Sequence, residues 1–152
     1  MYLLSDVTPR ERYKTYFLQN NDVRVKTVYA PKTIVRGNSV QLQQVLMNLI
    51  NNAVEAMSAC ASNDRLLQLK TEFLGSGDRV SLAVQDSGPG IDLERRSDLF
   101  KPLFSTKPGG MGLGLSICKS VIDAHGGSLN VTAGNPVGAV FTIILPLERE
   151  VT

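Results

Sequence analysis

Two hydrophobic periods alternate along the chain. Between Asn38 and about Ala59, the apolar residues Leu42, Val45, Leu46, Leu49, Ala53, Ala56 and Met57 recur at three- and four-residue spacing, the period of an amphipathic helix. Asn38 or Ser39 stands where its N-cap belongs. A helix over 113–124 is closed by His125-Gly126-Gly127 in the position of a glycine C-cap. Another is predicted up to about Asn20, because Thr8-Pro9-Arg10-Glu11 supplies a cap, a first-turn proline and a third-position glutamate. A short helix is expected around Leu93–Leu99. Elsewhere the period is closer to two: strands are predicted at 23–29, 66–74, 79–85, 128–133 and 137–145, with a short extended piece at 33–36. Gly75-Ser76-Gly77-Asp78 and Gly134-Asn135-Pro136 read as the turns of two hairpins. This order predicts an α/β (α+β) fold, with about three helices packed on one face of a mostly antiparallel sheet.

Composition narrows the class. With 152 residues, 43% hydrophobic and 20% charged, the chain fits one soluble domain. A net charge of +2 gives no basic field of the kind a nucleic-acid binder carries, and the absence of Trp argues against a base-stacking platform. Cys60 and Cys118 are far apart and His125 is the only histidine, which nearly excludes a Cys/His zinc site and argues for a reduced, cytosolic setting. The start lacks the basic region of a signal peptide. The longest apolar stretch, 137–147, falls well short of the ~20 residues that span a bilayer. No direct membrane contact is expected.

Three features do not belong to an ordinary core. The polar stripe Gln41, Gln44, Asn48, Asn52 and Glu55 runs along the long helix, with Asn48, Asn51 and Asn52 mid-helix although asparagine is a poor helix former. It reads either as a solvated face or as neutral amide oxygens aimed at a cation that is already bound to a polyanion, as Mg²⁺ is with phosphates. Asp86-Ser87-Gly88-Pro89-Gly90 follows a strand; it is a plain turn, or else a carboxylate that accepts a hydrogen bond from the exocyclic amine of adenine. Gly109-Gly110-Met111-Gly112-Leu113-Gly114-Leu115 leads into a helix, where glycine N–H groups and the helix N-terminus can meet phosphates. It fits neither GxxxxGK[ST] nor the dinucleotide pattern GxGxxG. Between the last two, Leu99 to Lys107 places two phenylalanines in a long loop, the composition of a lid.

Taken in order, Asn48-Leu49-Ile50-Asn51-Asn52-Ala53, Asp86-Ser87-Gly88-Pro89-Gly90, Phe100 to Phe104, and Gly110-Met111-Gly112-Leu113-Gly114-Leu115 resemble the N, G1, F and G2 boxes of sensor histidine kinases. Gly138-Ala139-Val140-Phe141 resembles their G3 region. The likeness covers about residues 20 to 147, and the Asn-Ala-Val-Glu-Ala-Met and Phe-Ser-Thr-Lys segments are most similar to the nitrogen-regulation and oxygen-sensing subgroup. The resemblance implies the Bergerat ATP-binding fold, a two-layer sandwich on a mixed sheet, and Mg-ATP as the ligand. It places Asp86 on adenine, Asn52 and Asn48 at the metal, and Gly110, Gly112 and Gly114 against the phosphates. Gly88, Gly90, Ile91, Phe104, Leu113 and Leu115 complete the implied nucleotide site, and 92–112 would form the lid.

The resemblance also implies phosphoryl transfer to a histidine on a separate helical-hairpin domain, which would precede residue 1, with a response regulator receiver domain downstream. Relatives often carry Asp where Asn38 stands, and many carry Lys three positions after the second Asn. Here that place holds Glu55, and Lys107 is the substitute candidate for a phosphate contact and a catalytic role beside Asn48 and Asn52. His125 sits in an Ala-His-Gly-Gly helix end and reads as structural, so the chain alone should not phosphorylate itself. The alternatives are an ATP hydrolase of the same superfamily and a nucleotide-binding module without transfer. Hydrolysis is disfavoured, because the place of Asn48 then typically holds a Glu and an amide is no general base.

Overall fold

The computed structural model describes residues 2–3, 21–31, 33–101, 114–134 and 137–148. The predicted helix up to Asn20, most of the expected lid, and Phe104, Lys107, Gly110, Gly112 and Leu113 lie outside the described residues. In chain order the described elements are β1 (Tyr2–Leu3), β2 (Arg24–Val28), β3 (Ile34–Val35), α1 (Ser39–Met57), β4 (Leu66–Leu74), β5 (Arg79–Gln85), α2 (Arg96–Leu99), α3 (Gly114–Ala124), β6 (Ser128–Ala133) and β7 (Ala139–Pro146). Single 3-10 turns occupy Ser62–Asp64 and Leu93–Arg95, so the short helix expected near Leu93–Leu99 is half 3-10 and half α.

Five strands form one mixed sheet in the order β2-β4-β5-β7-β6. β2 runs parallel to β4, and every other neighbour is antiparallel. The register aligns apolar side chains into rows across the sheet. Leu69, Val84, Phe141 and Val131 form one such row, and Thr71, Leu82, Ile143 and Leu129 the next. Because successive strand residues point to opposite faces, these rows are buried while neighbours such as Lys70, Glu72 and Asn130 are exposed. The buried face meets Leu42, Val45, Leu46, Leu49, Ile50, Ala53, Val54 and Met57 of α1 and Cys118 and Ile122 of α3 in a single core. The result is the set of helices on one face of a mostly antiparallel sheet that the element order predicts, and the two-layer sandwich that the resemblance implies. β1 and β3 form a separate antiparallel pair, tied to the end of the sheet through a Val35–Leu147 bridge.

Four element ends carry visible causes. α1 starts at Ser39 because Asn38 is the cap, its Oδ1 accepting from the Gln41 N–H at 3.1 Å. The same helix stops at Met57 rather than near Ala59. Ser58 Oγ donates to the Glu55 carbonyl (2.6 Å), and the Arg65 guanidinium donates to the carbonyls of Ser58 and Cys60 at 3.0–3.2 Å. A cation there suits the negative end of the helix dipole. α3 ends in a Schellman cap, Gly127 N–H to the Ile122 carbonyl and Gly126 N–H to the Asp123 carbonyl. β7 begins at Ala139, not Val137, because Gly138 belongs to the preceding turn, where its carbonyl accepts from the Gly134 N–H at 2.8 Å.

Candidate active site

α1 is the ruler of the site. Asn48, Asn52 and Ala56 lie four residues apart, on one face of the helix and ~6 Å from one another along its axis. Asn48 and Asn52 are half-buried, whereas Gln41, Gln44 and Glu55 of the same stripe are exposed. The stripe is therefore solvated at its ends and covered in the middle. The cover near Asn48 is α3. Asn48 Nδ2 donates to Cys118 Sγ at 3.6 Å, and the ring of His125 meets the backbone at Asn38. These two contacts make α1 and α3 antiparallel, because a later position on α3 meets an earlier one on α1. Four residues back from Cys118 is Gly114, the first residue of α3, and four residues on from Asn48 is Asn52. Each step covers ~6 Å of helix. The free N–H groups and positive dipole end of α3, with Gly114 and Leu115, thus stand at the level of Asn52.

At the far end of the ruler, the Asp86–Gly90 loop leans on the last turn of α1. A Cβ added at Gly88 would stand 2.9 Å from the Ala56 carbonyl oxygen, so only glycine allows that approach. Asp86 is 4% exposed, and a carboxylate so buried needs hydrogen bonds. Its Oδ1 accepts from the Gly88 N–H at 2.9 Å and from the Ala139 N–H at 3.4 Å. Gly138 closes the other side: with φ +89° and a would-be Cβ 2.0 Å from the Asp86 carbonyl oxygen, no side chain fits there. Gly90, φ +86°, rests against the Gly138 backbone in turn. Ile91 is half-buried against the core. Phe100 sets its ring edge-on to Phe141, centroids 6.4 Å apart at 84°, which anchors the start of the expected lid over the buried sheet row.

The structure brings Asp86, Gly88, Gly90 and Ile91 together at the C-terminal end of α1, and sets Asn48 and Asn52 along its middle, beside α3, which begins with Gly114 and Leu115. Roles expected of Phe104, Lys107, Gly110, Gly112 and Leu113 fall on residues not described. His125 is a clamp. Its Nδ1 proton is donated to the Val121 carbonyl (2.7 Å), and its Nε2 accepts from the Asn38 N–H (3.0 Å). Both ring nitrogens are in use. A Cβ at Gly37 would lie 2.4 Å from the imidazole.

Three residues escaped the sequence reading. Cys118 is 0% exposed against Asn48, and burial pushes its thiol up from the ordinary range while the bond from Asn48 works the other way. Ser87 Oγ accepts from the Leu66 N–H (2.9 Å), donates to the Asp64 carbonyl (2.6 Å) and lies 3.3 Å from Met57 Sδ, so it pins the loop beside Asp86. Arg65 ties the end of α1 to Asn21 through the Asn21 carbonyl at 2.8 Å. Only Ser87 had a local signal, its place inside a glycine-rich turn.

A buried carboxylate at one end of a helix, and half-buried amides in its middle beside a second helix, define a nucleotide-binding α/β sandwich. Residues 37–149 match the family described as histidine kinase-, DNA gyrase B-, and HSP90-like ATPase. The chain belongs to that family and, within it, to the ATP-binding catalytic domains of sensor histidine kinases. It is 39% identical to the sensor protein TdiS of Thauera aromatica over 71% of this chain and 20% of that protein. To the sensor protein FixL of Bradyrhizobium diazoefficiens it is 39% identical over 77% of this chain and 23% of that one. It thus spans about a fifth of the length of these curated relatives. Among solved structures it resembles the nucleotide-free catalytic domain of histidine kinase ThkA, with 30% identity and a TM-score of 0.79 over 96% of this chain and 93% of that one. The same kinase in complex with the response regulator TrrA aligns at 27% identity and a TM-score of 0.78 over 97% of this chain and 41% of that one. Among the described residues no helix is long and apolar enough to cross a membrane.

Proposed function

We propose that the chain holds ATP along α1 as its magnesium complex and passes the γ-phosphoryl group to a histidine on a separate phosphoacceptor hairpin domain, whose phosphate then goes to a response regulator. The arrangement of Asp86 and Asn52 at two levels of one helix carries this reading. Asp86 accepts from the exocyclic amine of adenine, and Gly88, Gly90 and Ile91 let the base lie close. Asn48 and Asn52 offer neutral oxygens. Among the described residues no three His, Cys, Asp or Glu side chains are grouped to hold a metal ion, so those residues supply no anionic cage. That donor set fits a cation that arrives with the polyphosphate, as Mg²⁺ usually does. When bound, Mg²⁺ would neutralise phosphate charge. The N-terminus of α3, with Gly114 and Leu115, takes the phosphate oxygens together with Gly110, Gly112 and Leu113. The lid expected over 92–112, with Phe104 and Lys107, would cover the phosphates; 102–112 lie outside the described residues.

Phosphoryl transfer of this kind rests on positioning and charge neutralisation. A nitrogen of the acceptor imidazole bonds to the γ-phosphorus as the bond to the bridging oxygen breaks, and ADP leaves. His125 is not that acceptor, since both its nitrogens serve the fold. An amide at Asn48 cannot activate water as a base, which argues against hydrolysis. The test mixes the chain with a histidine-bearing hairpin fragment of a sensor kinase and γ-labelled Mg-ATP. Label on the hairpin histidine is expected. No label despite demonstrated docking, or brisk ATP turnover by the chain alone, would overturn the proposal.

A further inference from the structure

Cys118 is buried, unpaired with any other cysteine and in direct contact with the phosphate end of the site. We infer that it is a positioning residue for that site, its sulfur deciding which way the Asn48 amide faces. The inference rests on the reading of Asn48 as a metal-side ligand.

A primary amide is planar, and its nitrogen and oxygen leave Cγ in different directions. In water the two faces of an asparagine exchange freely. Here Nδ2 donates to Cys118 Sγ at 3.6 Å, and the thiol itself lies 3.9 Å from the Val45 carbonyl, toward which its proton points. With the S–H directed at a carbonyl, the sulfur turns lone pairs to Asn48 and can only accept. A flipped amide would set oxygen against sulfur, lone pair against lone pair. Nitrogen inward means oxygen outward, toward the side where a cation would be met. Burial favours the neutral thiol, so the sulfur adds no negative charge beside the amide. Hydrogen bonds to sulfur are weak, but losing this one leaves a half-buried amide N–H short of a partner, which costs more than the bond itself returns. The contact also joins the second turn of α3 to the middle of α1, so the same sulfur that orients Asn48 sets the height of the α3 N-terminus beside Asn52.

The test uses Cys118→Ser, Cys118→Ala, Cys118→Val and Asn48→Ala in the 152-residue chain. Thermal melting establishes folding, and ATP is titrated with and without Mg²⁺. The reading is the ratio of the two affinities. Serine, which can accept from Nδ2 and donate to the Val45 carbonyl, should keep the ratio within about twofold. Alanine and valine, which cannot accept, should lower it about tenfold while metal-free affinity stays within about twofold. Valine fills the thiol's volume, so it answers if the alanine variant does not fold. An unchanged ratio in a folded alanine or valine variant, with Asn48→Ala lowering it, removes the positioning role and leaves Asn48 in place. An unchanged ratio in Asn48→Ala removes the metal-side reading beneath it. Equal losses with and without Mg²⁺ in the Cys118 variants would mark a packing role and also overturn the inference.

Discussion

The C-terminal end of α1 and its middle are built from different materials. The Asp86 end is a backbone structure. Its carboxylate is fixed by two main-chain N–H groups, its walls are Gly88, Gly90 and Gly138, and its neighbour is the Ala56 carbonyl. The Asn48–Asn52 stretch is a side-chain structure, two half-buried amides on a helix, one of them hydrogen-bonded to sulfur. Backbone packed so that an added Cβ at Gly88 or Gly138 would fall 2.0–2.9 Å from the neighbouring chain leaves no room for adjustment, whereas side chains on a helix face can be exchanged without moving the helix. The comparison therefore predicts brittle behaviour where a base would be read and graded behaviour where phosphate and metal would be held.

Gly138→Ala is the most damaging single change at the rigid end. Its Cβ would meet the Asp86 carbonyl at 2.0 Å and Asp86 Oδ1 at 2.9 Å, at a φ that alanine resists. Strain and displaced backbone together should cost about 3 kcal/mol or more. A chemical-denaturation curve should show that loss, with nucleotide affinity falling more than about 100-fold. A variant as stable as the parent would mean that the turn relaxes and that the backbone account of this end is wrong.

Asp86→Asn separates chemistry from scaffold at the same place. The amide oxygen can still accept from Gly88 and Ala139, so the melting temperature should move little. The amide nitrogen, however, now opposes the donor amine of adenine. ATP should bind ~10- to 100-fold more weakly, as for a lost and mismatched hydrogen bond, and the preference for ATP over GTP should shrink. Normal ATP binding by this variant would remove Asp86 from the adenine.

Asn52→Ala probes the adjustable middle. The helix is held by Leu49, Ile50 and Ala53 on its buried side, and alanine is the better helix former, so stability should be kept or slightly raised. The Mg²⁺-dependent part of ATP affinity should drop about tenfold with metal-free binding unchanged, as measured by paired titrations. Loss of both in parallel would place Asn52 on the nucleotide itself and not on its metal.

The same division explains what could be read before the fold was known. The bounds of β4 and β5 follow from alternation. α1 follows from a three-and-four period that continues through eight buried residues. Asp86 and its glycines read alone as a plain turn or an adenine-reading carboxylate, and it was the order of the four boxes that singled them out. What stayed hidden is long-range. The Ala139–Asp86 contact joins residues 53 apart and the Asn48–Cys118 contact residues 70 apart, and no local period encodes which strand or helix will be a neighbour. Cys118 was only one of two cysteines far apart in sequence until α3 was seen to run antiparallel to α1. The parallel pairing of β2 with β4 was likewise outside the reach of periodicity, although a mostly antiparallel sheet was expected. The half-buried state of the asparagine stripe, which decides between a solvated face and a site, depends on α3 covering it.

A pair remote from both regions supplies the smallest effect and the control for the others. Arg36 lies just past β3 and Glu148 just past β7. The guanidinium grips the carboxylate with two hydrogen bonds, one of them from Nε to Oε2 at 3.1 Å. The bond and charge of Arg36 hold the Glu148 carboxyl below its ordinary range, and Glu148 raises Arg36. A carboxylate whose folded pKa lies below its unfolded value contributes stability above the unfolded value and loses it as the pH falls through the folded one. Arg36→Ala should therefore lower the melting temperature slightly at neutral pH and not at all in acid, once the carboxyl is protonated in both states. High salt should shrink the neutral-pH difference, because an exposed pair is readily screened. ATP affinity and its Mg²⁺ dependence should stay at the parent values at every pH where the protein is folded. A change in either would mean that the β3–Leu147 junction reaches the site, and that the C-terminal end and the middle of α1 are not the only places where binding is set.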